Sequence, residues 1–220
     1  MISAVGIPGH WYLITRFGEA QVLLPAAFWV ALALVRSEAT RRLGIRWLQW
    51  LGLATLLTVI SKVAFIGWGL GVASLNFTGF SGHSMFSAAI YPMLMVTLAA
   101  RLTPGWQKAA LGFGFALALT VGVSRVMVNA HSVSEVVLGL SLGGSAALLA
   151  VADAGLPRVT LRFYVPALLV VWMALVPLIT PPVPTHTWVM RLAVTLSGHA
   201  KPYTRLELIR ASRRPVVPQT

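Results

Sequence analysis

An all-α fold, a polytopic membrane bundle of about six transmembrane helices, is what the sequence predicts, and three observations predict it. Of the 220 residues 57% are hydrophobic and only 10% charged, and the mean hydropathy is +0.81. A soluble domain carries roughly a quarter charged residues. This chain has too little polar surface to cover a water-soluble globule, so the bilayer is the expected solvent. Second, the apolar runs are near-continuous rather than alternating. Only helices and closed barrels satisfy their backbone hydrogen bonds in lipid, and long runs without alternation select helices. Third, the cations sit between the apolar runs, where topology signals and headgroup anchors belong.

Spans are expected at about 20–35, 47–66, 84–100, 107–123, 132–152 and 163–180, each near the ~20-residue requirement once tilt is allowed. The first strong apolar run begins only near Ala20, so no cleavable signal peptide is expected. Orientation follows from the short loops. Arg36, Arg41, Arg42 and Arg46 lie in the first, Arg101 and Lys108 at the third, Arg158 and Arg162 in the fifth. The positive-inside rule makes these three cytoplasmic, and the second and fourth then face outward. The basic tail, with Lys201, Arg205, Arg210, Arg213 and Arg214, opposes this: six spans carry it outside. In residues 186–199, Val189, Leu192, Ala193 and Leu196 fall on one helical face interrupted by Arg191 on the other, which suits a helix lying in the interface. Trp11, Tyr12 and Phe17 suit the headgroup level. Residues 1–180 thus read as one transmembrane domain with its chemistry at about 60–150, and 181–220 as interfacial helix and tail.

The net charge of +12, from 17 Lys and Arg against 5 Asp and Glu, raises the question of nucleic acid in a soluble protein. Here membrane lipids are the expected partner, and no nucleic acid. With no cysteine, disulfides, thiolate metal sites and cysteine nucleophiles are excluded.

Ionisable residues inside apolar segments are costly and mark function. This chain has few, and the six-span topology brings them to one face: Lys62 near the outer end of the second span, His83 in FSGHSMFSAAIYP (80–92), and Ser124, Arg125, His131 and Glu135 in SRVMVNAHSVSE (124–135). His131 and Glu135, four apart, share a helical face. A carboxylate accepting a proton from one imidazole nitrogen leaves the other free as a nucleophile. Ser81-Gly82-His83 stands before a helix, where unpaired N–H groups favour an anion. Gly82 permits close backbone approach, and Ser81 serves as N-cap or as hydroxyl donor. Lys62 and Arg125 supply positive charge for phosphate oxygens. Each has a plainer reading: Lys62 as a snorkelling side chain, Arg125 as a headgroup anchor, Glu135 as partner of Arg125. His10, His186 and His199 read as packing residues, and the glycines of LGLSLGGSAALLA (138–150) as close helix packing.

These two runs resemble the second and third signatures of the type-2 phosphatidic acid phosphatase superfamily, PSGH and SRxxxxxHxxxD. Ser124-Arg125, five residues and His131 reproduce the third with its spacing intact, and forty residues, 84–123, leave room for a helical hairpin between the two. The resemblance covers roughly residues 60–150. Glu135 replaces the family's Asp, Phe80 its Pro, and of the first signature, KxxxxxxRP, only Lys62 remains, with Gly69-Leu70 where Arg-Pro is expected. A second SGH at 197–199 reads as coincidence.

The resemblance implies an integral-membrane lipid phosphatase needing neither metal nor other cofactor. His131 would attack phosphorus, Glu135 orient it, and His83 protonate the leaving oxygen and then activate water. Lys62, Ser81, Gly82 and Arg125 would hold the phosphate, with Ser124 assisting. The implied substrate is a lipid phosphate such as undecaprenyl pyrophosphate, phosphatidic acid, phosphatidylglycerol phosphate or lipid A. The implied place is a bacterial inner membrane, with the site facing the periplasm or exterior. Two rivals are a phosphotransferase using the same residues and a non-catalytic transporter or scaffold. The latter predicts charges spread through the membrane depth.

Overall fold

The first element, α1 (Gly9–Arg16), opens a computed structural model that describes residues 7–158, 164–181 and 183–212. It is followed by α2 (Ala20–Arg36), α3 (Glu38–Trp68), a 3-10 turn at Ala73–Leu75, α4 (Gly82–Leu98), α5 (Pro104–Met127), α6 (Val133–Ala154), α7 (Tyr164–Ile179), α8 (Thr185–Ser197) and α9 (Arg205–Ser212). Among the described residues the only β-type pairing is a bridge between Val72 and Phe77. The six expected spans fall on α2 to α7. By length and composition α3, α5, α6 and the α1–α2 stretch Gly9–Arg36 each suffice to cross a membrane, whereas α4 and α7 are shorter.

The shorter α4 is the axis of the bundle. Met85, Ala88, Ala89, Ile90, Met93, Leu94 and Val96 are all buried, with α2, α3, α5 and α6 packed around them. A helix apolar all round belongs in such a position. Polar side chains, one from a neighbour and one of its own, fix it in place. Fully buried Trp47 of α3 donates from its indole N–H to the Ala89 carbonyl at 2.9 Å, and Tyr91 donates to the Phe17 carbonyl at 2.8 Å. Indole and phenol bury a large apolar body while needing one partner each, which both find. The glycines of α6 permit the closest approach. A Cβ on Gly139 would lie 2.8 Å from the Ser81 carbonyl oxygen, and one on Gly143 would overlap that of Met85. Close packing of small residues is how helices associate in lipid, where apolar side chains gain nothing from leaving it.

Two ends of the bundle are distinguished by their contacts. At one, Arg42 and Arg46 of α3 pair with Asp153 at the end of α6, at 3.0 and 2.7 Å. Buried Gln107 donates to the carbonyls of Ala100 and Pro157, so the α4–α5 and α6–α7 connections meet there too. The odd-numbered loops therefore share this end. Arg162, Arg213 and Arg214 lie outside the described residues. At the other end are the turn at 17–19, the loops at 69–81 and 128–132, and the segment after α8. The Tyr203 N–H donates to the Ile66 carbonyl at 2.9 Å, which fixes the tail at that second end. Its position agrees with an even number of crossings before it. Along α8, Val189 and Ala193 turn towards α3, while Leu192 and Leu196 remain exposed, so the expected apolar face is divided between protein and surroundings.

Candidate active site

The α6 N-terminus is built by a capping box. The Ser132 hydroxyl accepts from the Glu135 N–H at 3.3 Å, and the Glu135 carboxylate accepts from the Ser132 N–H at 3.2 Å. Two orphan donors of the first turn are thereby satisfied. Just before it, Asn129 takes a left-handed conformation (φ 55°), and the N–H groups of Ala130 and His131 return to the Arg125 carbonyl. This turn brings His131 over the helix start, where its Nδ1 lies 2.7 Å from Glu135 Oε2. With the carboxylate as acceptor, Nδ1 carries the proton and Nε2 keeps its lone pair. His131 is 15% exposed and Glu135 fully buried. Burial pulls the His131 imidazole below its ordinary value of 6.5, against the opposing pull of Glu135, and so favours the neutral, nucleophilic form.

Glu135 has more partners than the sequence suggested. Its Oε1 accepts from the Thr78 backbone N–H at 2.8 Å and the Thr78 hydroxyl at 2.5 Å. Arg205, from the tail, donates to both oxygens at 2.8 and 2.7 Å. Arg125 is not among its partners. The Arg125 guanidinium instead donates to Thr15 of α1 at 2.7 Å, and its Nε is buried with no partner among the described residues. A buried donor of that kind asks for an acceptor.

The start of α4 lies alongside. Ser81 is fully buried and takes the N-cap role, accepting from the Ser84 N–H and hydroxyl at 3.4 and 2.9 Å. Its own N–H donates to the Glu135 carbonyl, so the α4 and α6 starts are fastened together. Gly82 and His83 follow in the first turn, and the Lys62 ammonium stands 3.9 Å from where a Gly82 Cβ would be. Gly79 (φ 132°) lets the loop pass against the Lys62 side chain. The Ser124 hydroxyl bonds the Val121 carbonyl at 2.6 Å and is fully buried.

Lys62, Gly82, His83, Arg125 and His131 open onto one cavity of about 680 Å³, as do Thr78 and Arg205; Ser81, Ser124 and Glu135 stand behind its wall. The cavity continues past the charged groups. Thr55 and Val59 of α3, Phe86 of α4, and Val189 and Met190 of α8 line its deeper part. Thr55, whose hydroxyl turns back onto the Leu51 carbonyl, is seven residues from Lys62, so the cavity runs ~10 Å along α3 towards mid-bundle, with Val59, Phe86, Val189 and Met190 as its apolar wall. Of the other histidines, His186 lines this cavity and His199 pairs with the Gly67 carbonyl at 2.7 Å. No group of three His, Asp or Glu that could hold a metal occurs among the described residues.

Thr15, Gly18, Thr78 and Arg205 carry no motif. Gly18 is set by space: a Cβ there would lie 3.0 Å from His83 Cδ2 and 2.6 Å from Val121. Only the Ser132-x-x-Glu135 capping box had a sequence signature that could have been read.

Similarity to known proteins bears on this arrangement. A family model described as the PAP2 superfamily matches residues 3–156. An "uncharacterized 22.5 kDa protein in cps region" of Klebsiella pneumoniae is 38% identical over 204 residues, 90% of this chain and 97% of that one. The crystal structure of a transmembrane PAP2 type phosphatidylglycerolphosphate phosphatase from Bacillus subtilis is similar with a TM-score of 0.50 and 27% identity. It covers 64% of this chain and 72% of its own. The two motifs lie within the matched region, while the α8 and tail residues that close the cavity lie beyond it, and the chain belongs to the PAP2 superfamily.

Proposed function

We propose that the protein is an integral-membrane lipid phosphatase that hydrolyses a phosphate monoester or pyrophosphate headgroup through a phosphohistidine on His131. The observation that carries this reading is the two-part cavity: charged and nucleophilic groups at one end, and an apolar channel leading from them into the bundle. A lipid phosphate has the same two parts. Membership of the family and the membrane phosphatase of Bacillus subtilis support the reaction class.

In the proposed reaction Lys62, Arg125 and the N–H groups at Gly82 and His83 surround the phosphoryl oxygens, and the orphan Nε of Arg125 gains an acceptor. His131 Nε2 forms a bond to phosphorus as the bond to the leaving oxygen breaks, and His83 gives that oxygen a proton. Glu135 accepts from Nδ1 and offsets the positive charge arising on the ring. Water then attacks phosphorus, His83 takes its proton, and the N–P bond breaks to free phosphate and neutral His131. Ser81 and Ser124 assist in holding the phosphate from behind the cavity wall, Ser81 with a hydroxyl that accepts from Ser84 and keeps its own proton to donate, Ser124 from a hydroxyl bonded to the Val121 carbonyl.

The transporter alternative expects charges through the depth of the bundle; here those lining the cavity gather at one end, and the Arg42–Arg46–Asp153 cluster stands at the other. In this reading the membrane is a bacterial inner membrane and the site faces the periplasm or exterior; the arginines gathered at the opposite end, which the positive-inside rule assigns to the cytoplasm, support that orientation. The test is phosphate release in detergent, with a chelator throughout, from undecaprenyl pyrophosphate, phosphatidic acid, phosphatidylglycerol phosphate and lipid A. Release from at least one, unaffected by the chelator, is the expected result. Release from none contradicts the reading.

A further inference from the structure

Residue 69 is where the family's first signature has arginine, and its surroundings explain why none stands there. Gly69 ends α3 with φ 70°, in the left-handed region, and a Cβ on it would lie 3.0 Å from the Tyr203 ring. The tail occupies that space. Tyr203 is fastened to the Ile66 carbonyl, and His199 to that of Gly67. Two residues beyond Tyr203 the chain delivers a different arginine to the site, from a part of the sequence beyond the 3–156 family match.

Arg205 meets Glu135 in a fixed plane. One guanidinium nitrogen donates to both carboxylate oxygens and weakly to the Thr78 hydroxyl at 3.3 Å. The other donates to the carbonyl and side chain of Asn76 at 3.1 and 3.0 Å. Asn76 is left-handed (φ 50°) at the end of the 3-10 turn, and that loop is itself held on α6 by Ser134 bonding the Leu75 carbonyl. Among the described residues, Arg205 is the one Lys or Arg in ion-pair contact with Glu135. A fully buried carboxylate beside a neutral imidazole is costly without a full positive charge against it. Lys62 and Arg125 face the cavity from α3 and α5, with the Arg125 Nε unpartnered among the described residues, so both are placed to meet substrate oxygens.

We propose that Arg205 is a positioning residue of the active site: it holds the Glu135 carboxylate against His131 Nδ1, so that the segment after α8 completes the catalytic machinery. This inference rests on the phosphatase reading. Without Arg205 the buried carboxylate takes up a proton or turns away, and His131 loses the acceptor that keeps Nε2 nucleophilic. The loss falls on the chemical step, because the groups that bind phosphate are untouched.

The experiment compares wild type, Arg205→Ala and Arg205→Lys with the lipid phosphate that wild type turns over best. For Arg205→Ala, kcat is expected to fall about 10–100-fold, as for other residues that orient a reacting group through its neighbour. KM should stay within about twofold, and millimolar guanidinium ion should restore part of the lost rate. Arg205→Lys, which keeps charge but not the planar two-point grip, should fall between. If Arg205→Ala does not fold, Arg205→Gln, with its amide donor and shorter stem, takes its place under the same kcat and KM criterion. Unchanged kcat, or a loss confined to KM and unresponsive to guanidinium, overturns the positioning role while leaving the phosphatase reading intact. A wild type that releases no phosphate contradicts the reading itself, and the inference with it.

Discussion

Replacing His131 by asparagine is expected to lower kcat by about 10³–10⁵-fold, the usual scale for removing a nucleophile from a covalent mechanism. Asparagine keeps a polar group near Glu135 and can donate to it, so the 2.7 Å contact has a substitute and the capping box at Ser132 is unaffected. The variant should therefore fold and bind lipid phosphate with a KM close to that of wild type. Phosphate release by purified proteins, read beside their thermal midpoints in detergent, checks it. Loss of rate without loss of stability is the expected pattern.

Gly143→Val is expected to have the largest effect on folding, on the order of 3–5 kcal/mol. The added Cβ would run into the Met85 carbonyl, a backbone atom of the buried axial helix that no rotamer change can move away. Relief requires separating α4 from α6, and the starts of those helices carry His83 and Glu135. Gly112→Ala in α5, where a Cβ meets nothing within 4 Å, is the matched control and should be neutral or slightly stabilising. The comparison is made by thermal midpoint and by recovery of monodisperse protein from membranes.

The spans were legible because a membrane helix is selected by composition over some 20 residues, a signal that survives errors at its ends. The ends themselves were not. α3 begins at Glu38 rather than near 47, since Arg41, Arg42 and Arg46 end the apolar run without ending the helix; backbone hydrogen bonding continues, and two of these arginines find Asp153. α1 and α9 are eight residues each, too short for periodicity to announce them. At the site, Lys62, His83, Arg125, His131 and Glu135 could be picked out as ionisable groups at span ends in a spaced motif, and the structure brings them together. Arg205 could not. It lies seventy residues from Glu135, in a tail whose cations, counted for topology, look alike. Which of them meets a buried carboxylate depends on the docking of Tyr203 at Gly69, a tertiary event with no local pattern.

The most direct test of the account is to find the phosphoryl group on the enzyme. Wild type and His131→Asn are mixed with a lipid carrying radiolabelled phosphate, quenched in alkali within one turnover, and digested for mass spectrometry. The account predicts an acid-labile, alkali-stable label on the peptide containing His131 in wild type, and none in His131→Asn. Steady phosphate release by wild type with no histidine ever labelled, or an equal label in the variant, would contradict it.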